Sequence, residues 1–342
     1  MLWGIMAKAA TKTNVLVVGV GSIGERHLRV FQRSGRCELA ICEVNPELRT
    51  TIADRYGITA SYADVDTALH ENKFDAAVIA TPAPLHIPIA TQLAEQQVHL
   101  LIEKPLSISL DGVDELQSVI DRHQLVVAVG YSHRAHPVVQ GVKQAVDSER
   151  FGRPMTINVS CGQPFYHFRP AYRDVYFAHH EQGGGAIQDG ITHLYNVVEW
   201  LVGPMDRLIT DAAHQQLEGV DVEDTVHTLA RHGDVMACYR LNLHQRHVET
   251  VVTVVCESGS VRADYENQRW SWMTEVAGEW HHEPVSVPER DIIYLAQANS
   301  FLDALEGSGQ PLCSLDEAVQ TLRVNIASFH SARDGTWQEI SR

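Results

Sequence analysis

The chain has no Cys-x-x-Cys pair, no apolar run of membrane-spanning length and no excess of positive charge. Its six cysteines (Cys37, Cys42, Cys161, Cys238, Cys256 and Cys313) are scattered over 342 residues, which excludes a disulfide scaffold and points to a reduced compartment. A membrane span needs about 20 consecutive apolar residues, and none approaches that length. The opening MLWGIMAKAATKTN has a five-residue apolar run with no charged stretch before it, so it does not read as a signal peptide. Cytoplasm is the expected compartment. Lysine and arginine number 27 against 43 acidic residues, a net charge of −16. That balance argues against nucleic acid or an anionic membrane surface as a partner. Internal repeats and low-complexity segments are also missing. What remains, 44% apolar and 20% charged, is an ordinary globular composition long enough for about two domains.

The richest stretch is Asn14–Gly24, NVLVVGVGSIG, an apolar strand running into Gly19-x-Gly21-x-x-Gly24 and then the helical IGERHLRVFQRSG. Gly19 permits a tight turn, Gly21 lets the backbone approach a pyrophosphate, and Gly24 lets helix and strand pack closely. Ser22 and Ile23 lie at the helix N-terminus, whose free N–H groups face the anion. A second strand, ELAICEV, ends in Glu43, nineteen residues after Gly24, near the offset expected of the acid that binds a ribose. Glu43 repels a 2′-phosphate and Val44-Asn45 adds no cation, so NAD is expected rather than NADP. Arg49 lies a turn into the next helix and reads as solvated surface.

Strand and helix signals alternate over the first 130 residues: NVLVVGV, ELAICEV, FDAAVIAT, HLLIEKP and LVVAVGY, with amphipathic stretches Pro46–Tyr56, Asp64–Glu71, Leu85–Gln96 and Leu110–Gln124 between them. This predicts a Rossmann-type dinucleotide-binding domain over 1–130, a parallel sheet covered on both faces with ligands beyond its carboxyl edge. Thr81-Pro82 and Glu103-Lys104-Pro105 fall at that edge. After a helical His136–Glu149 the texture becomes β-rich: MTINVSCG, LITDAAH, DTVHTLARH, VMACYRLNLH, VETVVTVVCES and SVRADYE. These predict an α+β domain over 131–342 around a large, mostly antiparallel open sheet, with closing helices at Arg290–Leu305 and Leu315–Ala332. One face of that sheet needs a cover, which makes a homodimer or homotetramer the expected state.

Gly183-Gly184-Gly185 precedes a predicted helix, Gly185–Val202. Ile187, Ile191, Leu194, Val198 and Leu201 form its apolar stripe, and Asp189, His193, Asn196 and Trp200 share another face. A carboxylate one turn from a histidine orients the ring, and a base tuned near neutrality is what hydroxyl deprotonation requires. The three glycines mark a place where a ligand or another backbone approaches closely. Lys104, at the carboxyl end of a buried strand, is placed to donate to a substrate oxygen. Nineteen histidines are present, including His179-His180 and His281-His282, yet no His-x-x-x-His or cysteine pair accompanies Asp189 and His193. No metal site is expected. The loop Gln163–Tyr176, QPFYHFRPAYRDVY, joins aromatic faces suited to a sugar ring with Arg169 and Arg173, suited to an anion. Tyr172 belongs to the same candidate substrate surface.

Taken together, GVGSIG, AICEVNPE, ATPAPLH (Thr81, Pro82, His86), EKP (Glu103–Pro105), VGYSHRAHP (Tyr131, Arg134, Pro137), GGGAIQDGITH and the tail SLDEAVQTLRVNIASFHSARDGTW resemble the Gfo/Idh/MocA family of glucose–fructose oxidoreductase and inositol dehydrogenase. The resemblance implies Lys104, Asp189 and His193 as the catalytic set, with Thr81, Pro82, His86 and Glu103 at the cofactor. It also implies Tyr131, Arg134 and Asn196 at the substrate. The implied reaction is hydride transfer between nicotinamide and a secondary alcohol of a sugar, sugar acid, cyclitol or nucleotide-sugar. A tightly retained NAD serving net hydrolysis, epimerisation or transhydrogenation is the alternative, and a non-catalytic sensor a remoter one. Two departures stand out: Gly190-Ile191-Thr192 fills the middle of the reactive helix, and Asn196 replaces an acid common in the family.

Overall fold

The computed structural model describes residues 12–286, 289 and 291–341. The opening segment through residue 11 and Arg290 of the expected closing helix lie outside the described residues. The N-terminal elements are β1 (Thr13–Val18), α1 (Ser22–Ser34), β2 (Cys37–Cys42), α2 (Pro46–Tyr56), β3 (Ser61–Tyr62), α3 (Val65–Glu71), β4 (Ala76–Ile79), α4 (His86–Glu95), β5 (His99–Ile102), α5 (Val113–His123) and β6 (Val127–Val129). Their strands pair in the order β3-β2-β1-β4-β5-β6. All of these pairings are parallel. The continuous apolar runs are explained by burial on both faces: Leu16, Val17, Val78, Leu100 and Leu101 are solvent-free. Local chemistry sets the helix ends. Asn45 accepts from the amides of Glu47 and Leu48 to cap α2, with Pro46 at its first turn and Gly57 left-handed at its end.

The second layer follows α6 (Pro137–Asp147) and comprises β7 (Pro154–Gly162), the short α7 (Phe165–Phe168), α8 (Thr192–Val202), β8 (Arg207–Ala213), β9 (Thr225–His232), β10 (Val235–Asn242), β11 (Glu249–Cys256), β12 (Gly259–Asp264), β13 (Arg269–Met273) and β14 (His281–Pro284). Helices α9 (Asp291–Leu305) and α10 (Leu315–Asp334) and strand β15 (Gln338–Glu339) close the chain. The large sheet runs β14-β13-β12-β11-β7-β10-β9-β8-β15. It is antiparallel except where β10 lies parallel to β7. Residues alternate strictly in β10: Val235, Ala237, Tyr239 and Leu241 are buried, and Met236, Cys238 and Arg240 face out. Leu229 and Met236 on the outward face are about half exposed, at 53% and 51%.

Two features were not anticipated. Strands β3, β13, β14 and β15 are short, of two to five residues, and were not among the expected runs. The closing helices also return to the N-terminal layer. Ile293, Tyr294, Ala298, Phe301 and Leu302 of α9 join the core of β1 and α1. Leu315, Ala318, Val319 and Leu322 of α10 join the core beneath β5 and β6, while Val324 and Ala327 belong to the core of the large sheet. Asp291 fixes the return by pairing with Arg26 at 3.2 Å and Arg29 at 2.6 Å on α1. The expected 131–342 unit therefore shares its last helices with the N-terminal layer.

Candidate active site

A cleft of about 740 Å³ opens along the carboxyl edge of the parallel sheet and is walled on its far side by the large sheet. Its volume lies in the range of small-molecule and cofactor sites. The glycine turn forms one end. Gly19 has φ +81°, and a Cβ there would come within 2.9 Å of the Ala80 carbonyl oxygen. At Gly24 a Cβ would fall 1.9 Å from the oxygen of Gly19. At Gly21, which lines the cleft with Ser22 and Ile23, a Cβ would meet nothing. Two glycines thus hold the turn and the third leaves room for a ligand. Glu43, at the end of β2, is tied to this turn: its Oε2 accepts from Val20 N at 3.0 Å and its Oε1 from Asn45 N at 2.9 Å. Arg49 is no solvated surface group; it donates to the Glu43 main-chain oxygen at 2.6 Å.

Thr81 and Pro82 follow β4 into the cleft wall. The buried Thr81 Oγ1 has no partner among the described residues, as expected of a group that a cofactor would satisfy. His86 reaches the carbonyl oxygens of both Thr81 (2.8 Å) and Pro105 (3.0 Å), fastening two cleft segments together. Glu103 is buried and fully engaged, by His27 Nε2 at 2.6 Å and by the Lys104 amide at 3.1 Å. The open turn, the carboxylate at the end of β2 and the orphaned hydroxyl fit a dinucleotide.

The middle of the cleft belongs to Lys104. Its Nζ donates to Asp189 Oδ1 at 2.7 Å and to the main-chain oxygen of Asp189 at 3.0 Å. Burial would lower the Lys104 pKa, but the Asp189 carboxylate and Tyr176 outweigh it and hold the ammonium well above its ordinary value. Burial would likewise raise Asp189, and Lys104 reverses that, leaving the carboxylate below its ordinary range. The pair is therefore charged. The expected single helix is two: residues Ala186–Ile191 form a π turn and α8 starts at Thr192. A π turn leaves main-chain oxygens outside the regular ladder, and that of Asp189 turns to Lys104. Tyr176 donates its hydroxyl to the same Oδ1 at 2.8 Å. His193 lines the cleft one turn on, stacked on His133 at 4.4 Å and 15°, with Tyr131 edge-on at 6.0 Å.

Models of known families match both layers. Residues 13–131 match "Oxidoreductase family, NAD-binding Rossmann fold", and residues 139–262 match "GFO/IDH/MocA C-terminal domain". The chain belongs to the Gfo/Idh/MocA oxidoreductase family. It is 24% identical to D-apiose dehydrogenase of Paraburkholderia graminis over 97% of this chain and 92% of that one. It is 23% identical to levoglucosan dehydrogenase of Pseudarthrobacter phenanthrenivorans over 96% and 98%. Among solved structures, levoglucosan dehydrogenase in complex with NADH superposes with a TM-score of 0.87 at 20% identity, covering 97% of this chain and 100% of that one. The WlbA dehydrogenase of Bordetella pertussis, in complex with NADH and UDP-GlcNAcA, does so at 0.84 and 23% identity, over 98% and 100%.

As a Gfo/Idh/MocA oxidoreductase the chain takes NAD, and the cleft gathers Lys104, Asp189, His193 and Arg169 beside the glycine turn. Other expected substrate residues lie elsewhere. Asn196 is solvent-free, not on the substrate side: it accepts from Arg134 Nε at 2.7 Å and donates to Thr321 Oγ1 at 3.0 Å. Arg134, 1% exposed, also donates to Glu317 Oε1 at 2.6 Å and to the Leu312 carbonyl at 3.0 Å. A guanidinium buried this deeply must spend its donors on protein acceptors, so Asn196 and Arg134 knit α8 to α10 beneath the cleft. Tyr131 is buried beside them, its hydroxyl 3.1 Å from Thr192 Oγ1. Tyr172 and Arg173 face a second depression, both donating to the Glu218 carbonyl oxygen, at 2.7 and 2.6 Å. Periodicity could not show this, because the face of α8 that starts in the cleft passes under α10 within one turn. Tyr176 and His133 were in segments already singled out, but nothing in their spacing distinguished them. Among the described residues no cluster of metal-ligating side chains occurs, and no helix is long and apolar enough to cross a membrane.

Proposed function

We propose that this protein oxidises a secondary hydroxyl of a sugar-like polyol with NAD, using Lys104, Asp189 and His193. The observation that carries the reading is the partly buried ion pair of Lys104 and Asp189, set in the same cleft as His193 and the glycine turn. NAD, held by the Gly19–Gly24 turn, Glu43 and Thr81-Pro82, would supply the hydride acceptor. Lys104 stays protonated and donates to the reacting oxygen, which favours His193 as the base that takes the hydroxyl proton. Asp189 holds the ammonium in place.

Of the two arginines that suggested an anionic substrate, only Arg169 lines the cleft, and Glu266 lines it as well. We therefore favour a neutral polyhydroxylated substrate over a sugar acid. The names of the relatives, D-apiose and levoglucosan dehydrogenase, support the same class. The outward face of the large sheet, with Leu229 and Met236 exposed, supports a homo-oligomer.

The test is NAD reduction by purified protein over neutral sugars, cyclitols, sugar acids and nucleotide-sugars. Turnover with at least one neutral polyol, exceeding that with the sugar acids, is expected. No turnover on any of them defeats the reading.

A further inference from the structure

Glu223, in the loop that enters β9, is 7% exposed. Burying a carboxylate is costly unless hydrogen bonds or charges compensate it, and here both oxygens are committed. Oε1 accepts the amide of Ile187 at 2.7 Å, at the start of the π turn, and Oε2 meets Nε2 of His180. The main-chain oxygen of Glu223 accepts from the Ala186 amide at 3.0 Å. Gly185 adopts φ +85° against this carboxylate, and a Cβ there would lie 2.7 Å from each oxygen. At Gly184 a Cβ would strike the carbonyl oxygens of Phe177 and Tyr176 at 2.3 and 2.4 Å. Gln188 adds a bond from its Nε2 to the His180 carbonyl at 2.9 Å.

Two segments thus converge on one side chain. The π turn carries Asp189 two residues beyond Ile187, and the segment ending at His180 carries Tyr176, which donates to Asp189. Resting on the function proposed above, we infer that Glu223 is a positioning residue for the reaction. Its carboxylate clamps the π turn to the 176–182 segment, so that Asp189 and Tyr176 present a single arrangement to Lys104 and the substrate. A group misplaced by a fraction of an ångström costs turnover more than binding.

Glu223→Ala, Glu223→Gln and Tyr176→Phe, alone and combined in the full chain, test this with the best polyol of the panel. Glu223→Ala is expected to lower kcat about tenfold or more while leaving the NAD dissociation constant within about twofold. Glu223→Gln, which keeps an oxygen for the Ile187 amide, should recover most of the loss. Tyr176→Phe should cost less in the Glu223→Ala background than in the native one, because the two effects share a cause. A kcat within about twofold in Glu223→Ala, or effects that multiply independently, would overturn the inference. If Glu223→Ala does not fold, the coupling of Tyr176→Phe with His180→Gln, at a half-exposed residue, decides in the same way. An inactive native protein defeats the functional reading instead, so the two failures are distinguishable.

Discussion

The ammonium of Lys104 donates to both the side-chain and the main-chain oxygen of Asp189, at 2.7 and 3.0 Å. One residue thus both neutralises the lysine and fixes its direction. The carboxylate also opposes the burial that would otherwise depress the lysine. In Asp189→Asn the main opposition to that burial is lost, Tyr176 and Glu103 alone remain against it, and the Lys104 pKa falls. The pH profile of kcat should then acquire an alkaline decline that the native protein lacks, on top of a loss of about tenfold or more. Profiles from pH 6 to 10 read both effects.

Gly21 and Gly24 separate binding from folding. A Cβ at Gly24 would lie 1.9 Å from the Gly19 oxygen, so Gly24→Ala should destabilise the protein by about 1–3 kcal/mol and abolish NAD binding. At Gly21 nothing in the protein obstructs a Cβ. Gly21→Ala should therefore lower NAD affinity while leaving thermal unfolding without cofactor unchanged. Calorimetry and cofactor titration of the two variants check the contrast.

Glu43 takes two backbone amides, and Arg49 is tied to its carbonyl oxygen, so no cation is offered to a 2′-phosphate. Glu43→Ala should shift the ratio of kcat/KM for NADP over NAD upward by about tenfold, equivalent to ~1.4 kcal/mol of removed repulsion. Steady-state kinetics with both cofactors measures it.

The His180 pKa is raised, first by its hydrogen bond to Glu223 and against partial burial. A raised folded-state pKa gives stability that is complete below the unfolded value of about 6.5 and lost as pH climbs through the folded one. His180→Gln should accordingly destabilise the protein most near pH 6 and least well above the raised value. With the ring half exposed, the difference should stay below about 1 kcal/mol. Denaturant unfolding at acidic and alkaline pH tests the sign.

Asn196→Ala should act on stability rather than on substrate. It leaves Arg134 Nε without its acceptor in a solvent-free site, at a cost of about 1–3 kcal/mol, with KM for the polyol little changed. Thermal unfolding and kinetics of this variant separate the two roles.

The contrast between Asn196 and Asp189 marks the limit of what the sequence discloses. The glycine turns, the apolar strands and the position of Lys104 were legible because local chemistry demands them: φ above zero, buried parallel strands, a lysine at a strand's end; helical spacing put Asp189 and His193 on one face, and both line the cleft. Residues such as Arg134 and Asn196 look equally functional in one dimension. Only the passage of α8 beneath α10 turns them inward. Glu223 left no local trace, since its partners Ile187 and His180 lie 36 and 43 residues away. The strands β14 and β15 were illegible for a related reason, being held by pairing to neighbours rather than by a pattern of their own, and β13 is too short for its alternation to stand out.

The most direct test of the account is to compare turnover and NAD binding in Lys104→Met and His193→Asn with the native protein, using the best polyol. Loss of kcat by about 10²–10⁴-fold in each, with the NAD dissociation constant unchanged within about threefold, is the predicted result. Native turnover in either variant would contradict the assignment of the reaction to this cleft.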